Sequence, residues 1–250
     1  GENWDNFVNW SLRKDYGGIE NLSLIPGNVG SAPIQNIGAY GVELDSVFES
    51  CRAISLENKK VKIFHKIDCD FTYRSSIFKE KLKNKYIISR VVFKLTKKSH
   101  FLKTNYKPLK ELIKIKNISN PTIQDISNLV KEIRSSKLPD PKIIGNCGSF
   151  FKNPIISKNK LEKISSIDKL IPFYKLSDEK FKIPAAWLIE KCGMKGRIEG
   201  QTGTHKEHAL VIINLGAATG TEIYNFSQKI KKLVLKKFNI LLEEEVNIID

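Results

Sequence analysis

The feature that most constrains this chain is a glycine-rich segment near its start, residues 25–41. It contains Gly27, Gly30, Gly38 and Gly41 among small and amide residues. Such a composition lets the backbone approach a ligand closely and point successive N–H groups at phosphate oxygens. The segment matches neither the dinucleotide-binding glycine motif nor the Walker loop. It predicts a phosphate- or cofactor-binding loop, although ordinary tight turns explain the same pattern equally well.

Apolar periodicity and turn residues predict helices and strands along the chain. Helices are predicted over residues 2–15, from a cap at Asn120 with Pro121 in the first turn, over residues 184–191, and after a capping box of Thr219 and Glu222. Strands are predicted as a hairpin over residues 47–56 and 60–65, over residues 86–95 and 208–214, and at the end of the chain, where the final strand carries Glu243, Glu244 and Glu245. Because helices and strands alternate without a regular βαβ period, we predict the α+β class. Pro139 and Pro141 mark a connection between two domains.

A net charge of +15 in 250 residues raises the question of nucleic-acid binding, because clustered Lys and Arg side chains neutralise phosphates. The lysines are spread along the chain, and no aromatic residues alternate with them as a base-stacking surface requires. The densest group, within residues 229–237, shares the last predicted helix with an apolar stripe and forms its solvated face. We therefore predict no nucleic-acid partner and keep a basic nucleic-acid-binding domain as a remote alternative.

Cysteine usage and hydropathy indicate a cytoplasmic protein. Cys51, Cys69, Cys147 and Cys192 form no C-x-x-C pair, a pattern typical of a reducing compartment. No stretch approaches the roughly 18 to 20 apolar residues of a membrane span, and the N-terminus lacks a signal-peptide layout. We predict a soluble monomer with no membrane partner. Since Met194 is the only methionine, we also expect a segment upstream of residue 1.

Three further segments stand out beside the glycine-rich one. They are Tyr-Arg-Ser-Ser-Ile-Phe at residues 73–78, Gly-Asn-Cys-Gly-Ser-Phe-Phe-Lys-Asn-Pro at residues 145–154, and Leu-Glu-Glu-Glu-Val at residues 242–246. In this order the four motifs resemble those of the UDP-N-acetylenolpyruvoylglucosamine reductases, FAD enzymes that share the fold of the vanillyl-alcohol oxidase type. The similarity extends from Gly1 nearly to Asp250, so it covers almost the whole chain.

The resemblance implies a division of the chain. Residues 1–138 would form an FAD-binding region of the vanillyl-alcohol oxidase type, residues 139–239 a smaller α+β substrate-binding domain, and residues 240–250 a strand that returns to the FAD-binding region. Family members carry another glycine-rich, pyrophosphate-binding loop before the part that begins here at Glu2, so we expect a truncated form. A loop containing Tyr106 indicates the branch of the family in which a tyrosine loop closes over the substrate.

The resemblance also implies the reaction. FAD would carry a hydride from NADPH to the enolpyruvyl group of UDP-N-acetylenolpyruvoylglucosamine, giving UDP-N-acetylmuramate for peptidoglycan and cell-wall synthesis. Hydride addition builds negative charge beside the substrate carboxylate, which the protein must stabilise before it delivers a proton. Arg74 matches the family position that holds the carboxylate, and Ser149 matches the proton donor. Glu245 matches a position opposite Arg74 that orients the intermediate or assists proton movement.

Further positions match the binding residues of the family. Flavin contacts are expected at Gly27, Asn28, Gly30, Ser31, Gln35, Asn36, Gly38 and Arg134. Substrate contacts are expected at Tyr40, Tyr106, Lys137 and Asn153. His205 and His208 have the spacing of two metal ligands on one helical face, but we place them across a turn with no third ligand and predict no metal site.

Two enzyme alternatives stay open. One is another FAD oxidoreductase of the same fold that acts on a different substrate. The other is a truncated form that folds but cannot hold FAD. Taken singly, an Arg after a Tyr is typical of a surface ion pair, a Ser between Gly and Phe of a turn, and an acidic triplet of a solvated surface. Only the joint match of the motifs indicates a catalytic site.

Overall fold

The computed structural model describes residues 1–249, in which helices and short strands are mixed along the chain. The chain forms two compact units, Gly1–Ser136 and Lys137–Asp250, although Asp250 itself lies outside the described residues. The division falls close to the boundary predicted between residues 138 and 139. The α+β class is confirmed, whereas the assignment of one unit to FAD and of the other to the substrate stays a prediction.

The first unit is built from helices and short antiparallel strands. Its helices are α1 (Trp4–Arg13), α2 (Lys107–Ile115) and α3 (Ile123–Lys137), the last of which reaches the first residue of the second unit. Its strands are β1 (Tyr16–Gly17), β2 (Gly38–Ala39), β3 (Val42–Glu43), β4 (Phe48–Ser55), β5 (Val61–His65), β6 (Tyr86–Phe93) and β7 (Thr96–Lys97). Strand β4 lies between β5 and β6 in an antiparallel sheet, where Ser50 pairs with His65. The predicted hairpin and the strand after it are therefore confirmed.

Helix α1 packs on the core of the first unit, as its apolar spacing predicts. The Asn3 side chain caps the helix by accepting from the Asn6 N–H at 3.1 Å. Trp4 and Leu12 are buried, and the Trp4 indole donates to the Leu22 carbonyl at 2.8 Å. Full burial of a large apolar side chain contributes about 1.5 to 3 kcal/mol, so this face holds α1 in place.

Helix α3 begins later than predicted. The predicted cap at Asn120 was wrong, because the Thr122 hydroxyl accepts from the Asp125 N–H at 3.2 Å and the Asp125 carboxylate accepts from the Thr122 N–H at 2.9 Å. This reciprocal pair satisfies two backbone groups at once, which a single Asn side chain does not. Hydrogen bonds from Thr122 also lower the pKa of Asp125. The predicted buried stripe is confirmed and consists of Ile123, Ile126, Leu129, Val130 and Ile133.

The second unit has two antiparallel sheets beside its helices. The helices are α4 (Lys158–Ile167), α5 (Ala185–Lys191) and α6 (Gly220–Phe238). The strands are β8 (Gly145–Ser149), β9 (Ile155–Ser157), β10 (Tyr174–Lys175), β11 (Lys180–Lys182), β12 (Ile198–Glu199), β13 (Thr202–Thr204) and β14 (Val211–Asn214). The sheet orders are β12-β13-β14-β8 and β10-β11-β9. The strand predicted over residues 208–214 is shorter, because the Val211 N–H donates to the His208 carbonyl at 3.0 Å and closes a turn first.

Helix α6 packs its apolar stripe into the core of the second unit. Phe226 and Val234 are buried, while most lysines within residues 229–237 are exposed. The Thr219 hydroxyl accepts from the Glu222 N–H at 3.2 Å, and the Glu222 carboxylate accepts from the Thr219 N–H at 2.7 Å. The predicted cap and the solvated lysine face are both confirmed. None of the helices within residues 1–249 combines the length and the apolar character needed to cross a membrane.

Replacing Thr219 by alanine is expected to lower the free energy of unfolding by about 0.5 to 2 kcal/mol, because the capping hydroxyl is lost. Urea unfolding followed by circular dichroism measures the difference. Thr221→Ala is the matched control, since Thr221 is exposed in the same first turn and should change stability by less than about 0.5 kcal/mol. An equal loss in both variants would contradict the capping role.

The segment after α6 differs from the prediction. Of the final strand predicted to carry Glu243, Glu244 and Glu245, the described structure has a single isolated bridge, between Glu244 and Phe151. Residues 240–249 are grouped with the second unit. The predicted return of residues 240–250 to the FAD-binding region stays a prediction.

Candidate active site

The second half of the glycine-rich segment is a hairpin of β2 and β3. Gly38 pairs with Glu43 at its base. Tyr40 and Gly41 form its tip and have φ values of 49° and 85°. Positive φ at both central residues is what a two-residue type I′ turn requires. The hairpin therefore presents Tyr40 at its tip and the Glu43 side chain at its base.

Arg74 lies in a tight turn of the same unit. Thr72 and Ser75 exchange backbone hydrogen bonds of 3.1 Å in both directions, so Arg74 lies at the tip between them. Its φ is 56°, a left-handed conformation that is uncommon for a residue other than glycine. The Ser76 hydroxyl donates to the Ile34 carbonyl at 2.6 Å and joins the turn to the glycine-rich segment.

The Arg74 guanidinium is docked on the hairpin. Its Nη2 donates to the Gly38 carbonyl, and its Nη1 donates to Glu43 Oε1 at 3.4 Å. The side chain is only 15% exposed, and the guanidinium lies 5.0 Å from the centre of the Tyr73 ring. A Cβ at position 38 would overlap the guanidinium and would lie 2.9 Å from Glu43 Cγ, so a larger residue there would displace one of these side chains. The flavin contact expected at Gly38 stays a prediction.

The first half of the glycine-rich segment is a surface loop. The Ser31 N–H and hydroxyl both donate to the Asn28 carbonyl, at 3.0 and 2.8 Å. Gly27 has a φ of 109°, and a Cβ at Gly30 would lie 3.0 Å from the Ile88 carbonyl oxygen. Gly27, Asn28 and Ser31 are exposed, so these predicted flavin-binding residues are open to an approaching ligand.

Asn36, another expected flavin contact, is buried and bonded to the protein. Its Nδ2 donates to the Thr72 carbonyl at 3.1 Å and to Glu43 Oε2 at 3.3 Å. Its Oδ1 accepts from the Asp45 N–H at 3.0 Å. These bonds use both amide hydrogens, so the structure supports a structural role for Asn36. Its flavin contact stays a prediction, as does that of the half-buried Gln35.

Arg134, on α3, is the expected flavin contact whose surroundings most favour a ligand. Its Nε is buried and has no hydrogen-bond partner within residues 1–249. The Tyr40 hydroxyl interacts with the guanidinium, and burial raises the pKa of Tyr40 although Arg134 opposes that effect. Burial also lowers the pKa of Arg134. A buried cation with an unpartnered donor is suited to an acceptor atom of a polar or anionic ligand.

Tyr106 lies beside Tyr40 in the first unit. The two rings meet edge to face with centroids 5.3 Å apart. The Asn21 side chain donates to the Tyr40 carbonyl at 2.8 Å and to the Lys103 carbonyl at 2.9 Å, which ties the hairpin tip to the loop before α2. The structure thus brings two expected substrate contacts together, beside Arg134.

Ser149 and Glu245 lie near each other in the second unit. Ser149 ends β8, opposite Val211 of β14, and follows Gly148, whose φ is 72°. The next residue, Phe150, accepts from the Glu245 N–H at 2.8 Å. Both predicted catalytic residues are half-buried. Glu245 donates this hydrogen bond, and Ser149 directly precedes the residue that accepts it.

The acidic triplet at residues 243–245 includes two glutamates with lysine partners. Glu243 pairs with Lys152, and Glu244 accepts from Lys231 at 2.7 Å. Burial raises the pKa of Glu244, but hydrogen bonds from Lys231 and Gln228 outweigh burial and lower it overall. These two glutamates serve structural pairs, and the catalytic role of Glu245 stays a prediction.

Asn153 and Lys137 also belong to the second unit. Asn153 Oδ1 accepts from the Ala185 N–H at 2.8 Å at the start of α5, which leaves its amide hydrogens to act as donors. Lys137 is exposed at the end of α3. Both side chains can therefore offer donors to oxygen atoms of a ligand, and their predicted substrate contacts stay predictions.

The His205 and His208 side chains lie in the turn before β14. The Nδ1 atom of each is buried and has no hydrogen-bond partner within residues 1–249. Burial, with a further contribution from the positive charge of Lys137, lowers the pKa of His208 to about 4, so this imidazole is neutral near pH 7. Among the described residues, no group of three His, Cys, Asp or Glu side chains could hold a metal ion.

Glu43 is a site residue that the sequence analysis missed. A hairpin signal was present, because a two-residue turn at Tyr40 and Gly41 places residue 43 opposite residue 38. The contact with Arg74 joins segments 31 residues apart, and no local pattern reveals it.

Comparisons with known proteins identify the family. A family model described as UDP-N-acetylenolpyruvoylglucosamine reductase, C-terminal domain, matches residues 140–249. The UDP-N-acetylenolpyruvoylglucosamine reductase of Flavobacterium johnsoniae is 49% identical over 249 residues, which is 100% of this chain and 74% of that relative. This chain belongs to the UDP-N-acetylenolpyruvoylglucosamine reductase family. The reductase of the same name from Pseudomonas aeruginosa is 42% identical over 248 residues, which is 99% of this chain and 73% of the relative.

A solved structure shows the same fold. The crystal structure of UDP-N-acetylenolpyruvylglucosamine reductase from Thermus caldophilus matches with a TM-score of 0.65 at 21% sequence identity, covering 98% of this chain and 69% of that chain. The reductase family and the fold class predicted from the sequence are thus confirmed. The roles of individual residues stay predictions.

Proposed function

We propose that this chain is an NADPH-dependent, FAD-containing oxidoreductase that reduces UDP-N-acetylenolpyruvoylglucosamine to UDP-N-acetylmuramate in peptidoglycan precursor synthesis. The observation that carries the proposal is the 49% identity, across the whole chain, to a reductase named for this substrate. The enzyme class and the FAD and NADPH cofactors predicted from the sequence agree with this family.

The residues of the first unit fit FAD. Arg134 offers a buried donor that has no partner within residues 1–249. Gly27, Asn28 and Ser31 form an exposed loop in which the glycine lets the backbone be approached closely. When bound, FAD would supply the transfer of a hydride from NADPH to the substrate. The chain itself must bind and orient the substrate and supply a proton.

Arg74 would bind the carboxylate of the substrate. The planar guanidinium fork matches a carboxylate with two parallel hydrogen bonds. Its position is set in advance by the Gly38 carbonyl and Glu43, and the side chain is only 15% exposed. A fixed cation in such surroundings stabilises the negative charge that develops beside the carboxylate, because little reorganisation is needed during the reaction.

Ser149 would deliver the proton, and Glu245 would orient the substrate or assist proton movement. A serine hydroxyl is a weak acid, so it protonates only a strongly basic carbon acceptor. The backbone pairing of Phe150 with Glu245 supports these linked roles, because it keeps Glu245 beside Ser149.

We also propose a cytoplasmic, monomeric enzyme without a nucleic-acid partner. Cys51, Cys69, Cys147 and Cys192 are free thiols in the described structure, which suits a reducing compartment. Each unit has its own buried apolar core. Most lysines of α6 form a solvated face opposite its apolar stripe, which accounts for the densest basic run without a nucleic-acid ligand.

The visible absorption spectrum of the purified chain, after incubation with FAD and desalting, tests the proposal. We expect a retained flavin band that NADPH bleaches and that UDP-N-acetylenolpyruvoylglucosamine restores without oxygen. Restoration by oxygen but not by this UDP-sugar would indicate another FAD oxidoreductase. A colourless protein would show that the chain does not hold FAD and would contradict the proposal.

A further inference from the structure

We propose that Glu43 is a positioning residue of this enzyme, whose carboxylate holds the Arg74 guanidinium in the orientation that receives the substrate carboxylate. The inference rests on the proposed function and deepens it, because Glu43 acts on the reaction through Arg74. Glu43, Asn36 and the turn that carries Arg74 form one connected set of contacts.

Both acceptors named for Arg74 come from one residue pair of the hairpin. Gly38 and Glu43 lie opposite each other in β2 and β3. The Gly38 carbonyl accepts from Nη2, and Glu43 Oε1 accepts from Nη1 at 3.4 Å. A single structural element therefore provides two acceptors for the guanidinium. A carboxylate orients this cation by charge as well as by hydrogen bonding, which a neutral amide cannot do.

Asn36 fixes Glu43 relative to the Arg74 turn. Its amide donates to Glu43 Oε2 at 3.3 Å and to the Thr72 carbonyl at 3.1 Å, while its oxygen accepts from the Asp45 N–H at 3.0 Å. Asn36 is 1% exposed, so water competes little for these bonds. One buried amide thus holds both the Glu43 carboxylate and the base of the turn.

The orientation of Arg74 matters because a guanidinium stabilises developing charge only if it already faces the reacting group. An arginine side chain has many rotamers, and ordering it has an entropic cost. The left-handed backbone of Arg74, with φ 56°, persists only where its surroundings hold it. Glu43 contributes negative charge to those surroundings, since its carboxylate forms an ion pair with Arg74.

Glu43→Gln tests the inference, because it preserves the shape of the side chain and removes its charge. In the FAD-loaded chain, reoxidation of the reduced flavin by UDP-N-acetylenolpyruvoylglucosamine should slow roughly ten- to a hundredfold. This loss in rate corresponds to the contribution of one hydrogen bond to a charged group. Reduction of the flavin by NADPH should be unchanged. Stopped-flow absorbance follows the two half-reactions separately. The matched control is Glu49→Gln, at an exposed position of the same unit.

Two further comparisons separate positioning from a loss of folding. Glu43→Asp retains the charge and should recover part of the lost rate. In a double-mutant cycle, Glu43→Gln should add little to Arg74→Lys, since both changes act on one interaction. Nitrogen NMR of the Arg74 guanidinium adds a readout without turnover: its resonances should shift in Glu43→Gln and not in Glu49→Gln.

The outcomes distinguish this inference from the proposed function. A wild-type chain that the UDP-sugar does not reoxidise would end the proposed function, and the role of Glu43 with it. A wild-type chain that turns over, with Glu43→Gln equally fast, would overturn the role of Glu43 alone. Equal slowing of both half-reactions, additive effects with Arg74→Lys, or unshifted Arg74 resonances would also overturn it.

Discussion

Ser149→Ala is expected to slow reoxidation of the reduced flavin by UDP-N-acetylenolpyruvoylglucosamine roughly a hundred- to ten-thousandfold, the usual contribution of a general acid. The change removes the hydroxyl and leaves the backbone pairing of β8 with β14 in place. Reduction of the flavin by NADPH should continue at the wild-type rate, because it needs no proton from Ser149. Rapid-mixing absorbance measures both steps on one sample.

The control for this variant is Ser166→Ala, which removes an exposed hydroxyl that donates to the Lys163 carbonyl near the end of α4. It should leave both half-reactions unchanged. An equal loss in the two half-reactions of Ser149→Ala would rule out the proton-donor role and would indicate instead that Ser149 supports cofactor binding or local folding.

Arg74→Lys is expected to raise the barrier of the same half-reaction by about 2.7 to 4 kcal/mol, as when a well-aimed donor is lost from a charge-stabilising site. This increase in the barrier corresponds to a loss in rate of roughly a hundred- to thousandfold. A lysine keeps the positive charge but lacks the planar fork that engages the Gly38 carbonyl and Glu43 together. Steady-state turnover and single-turnover reoxidation, measured on the same preparation, test this expectation.

Arg90→Lys provides the matched comparison, because Arg90 is exposed on β6 of the same unit. Thermal unfolding of both variants shows whether the fold is retained. Near-normal turnover of Arg74→Lys would remove Arg74 from the mechanism, since a point charge would then serve as well as the fork.

Much of the local structure could be predicted because its causes are local. Trp4 and Leu12 lie on one face of α1 through helical spacing, and the capping box of Thr219 and Glu222 needs only residues three positions apart. The cap predicted at Asn120 was incorrect because a second capping signal, Thr122 with Asp125, lies two residues further along the chain. The reciprocal bonds of Thr122 prevailed in the structure.

The second unit shows where local patterns fail. The acidic triplet predicted a strand, but Glu244 forms one bridge, and its side chain pairs with Lys231 of α6. The turn at His208 likewise shortens β14, because it forms a backbone hydrogen bond that alternating apolar residues do not encode. In both places, tertiary packing and not the local sequence decides which groups the backbone and side chains bond with.

By itself, the sequence determined the family, the α+β class and the positions of the catalytic candidates, because four ordered motifs and local periodicity are visible without a structure. Only the tertiary structure showed how Arg74 is held. Its acceptor Gly38 lies 36 residues away along the chain, as does Thr72 from Asn36. Hydrogen bonds between such distant segments form only after the hairpin and the turn have packed together, so the role of Glu43 could not be inferred from the sequence alone.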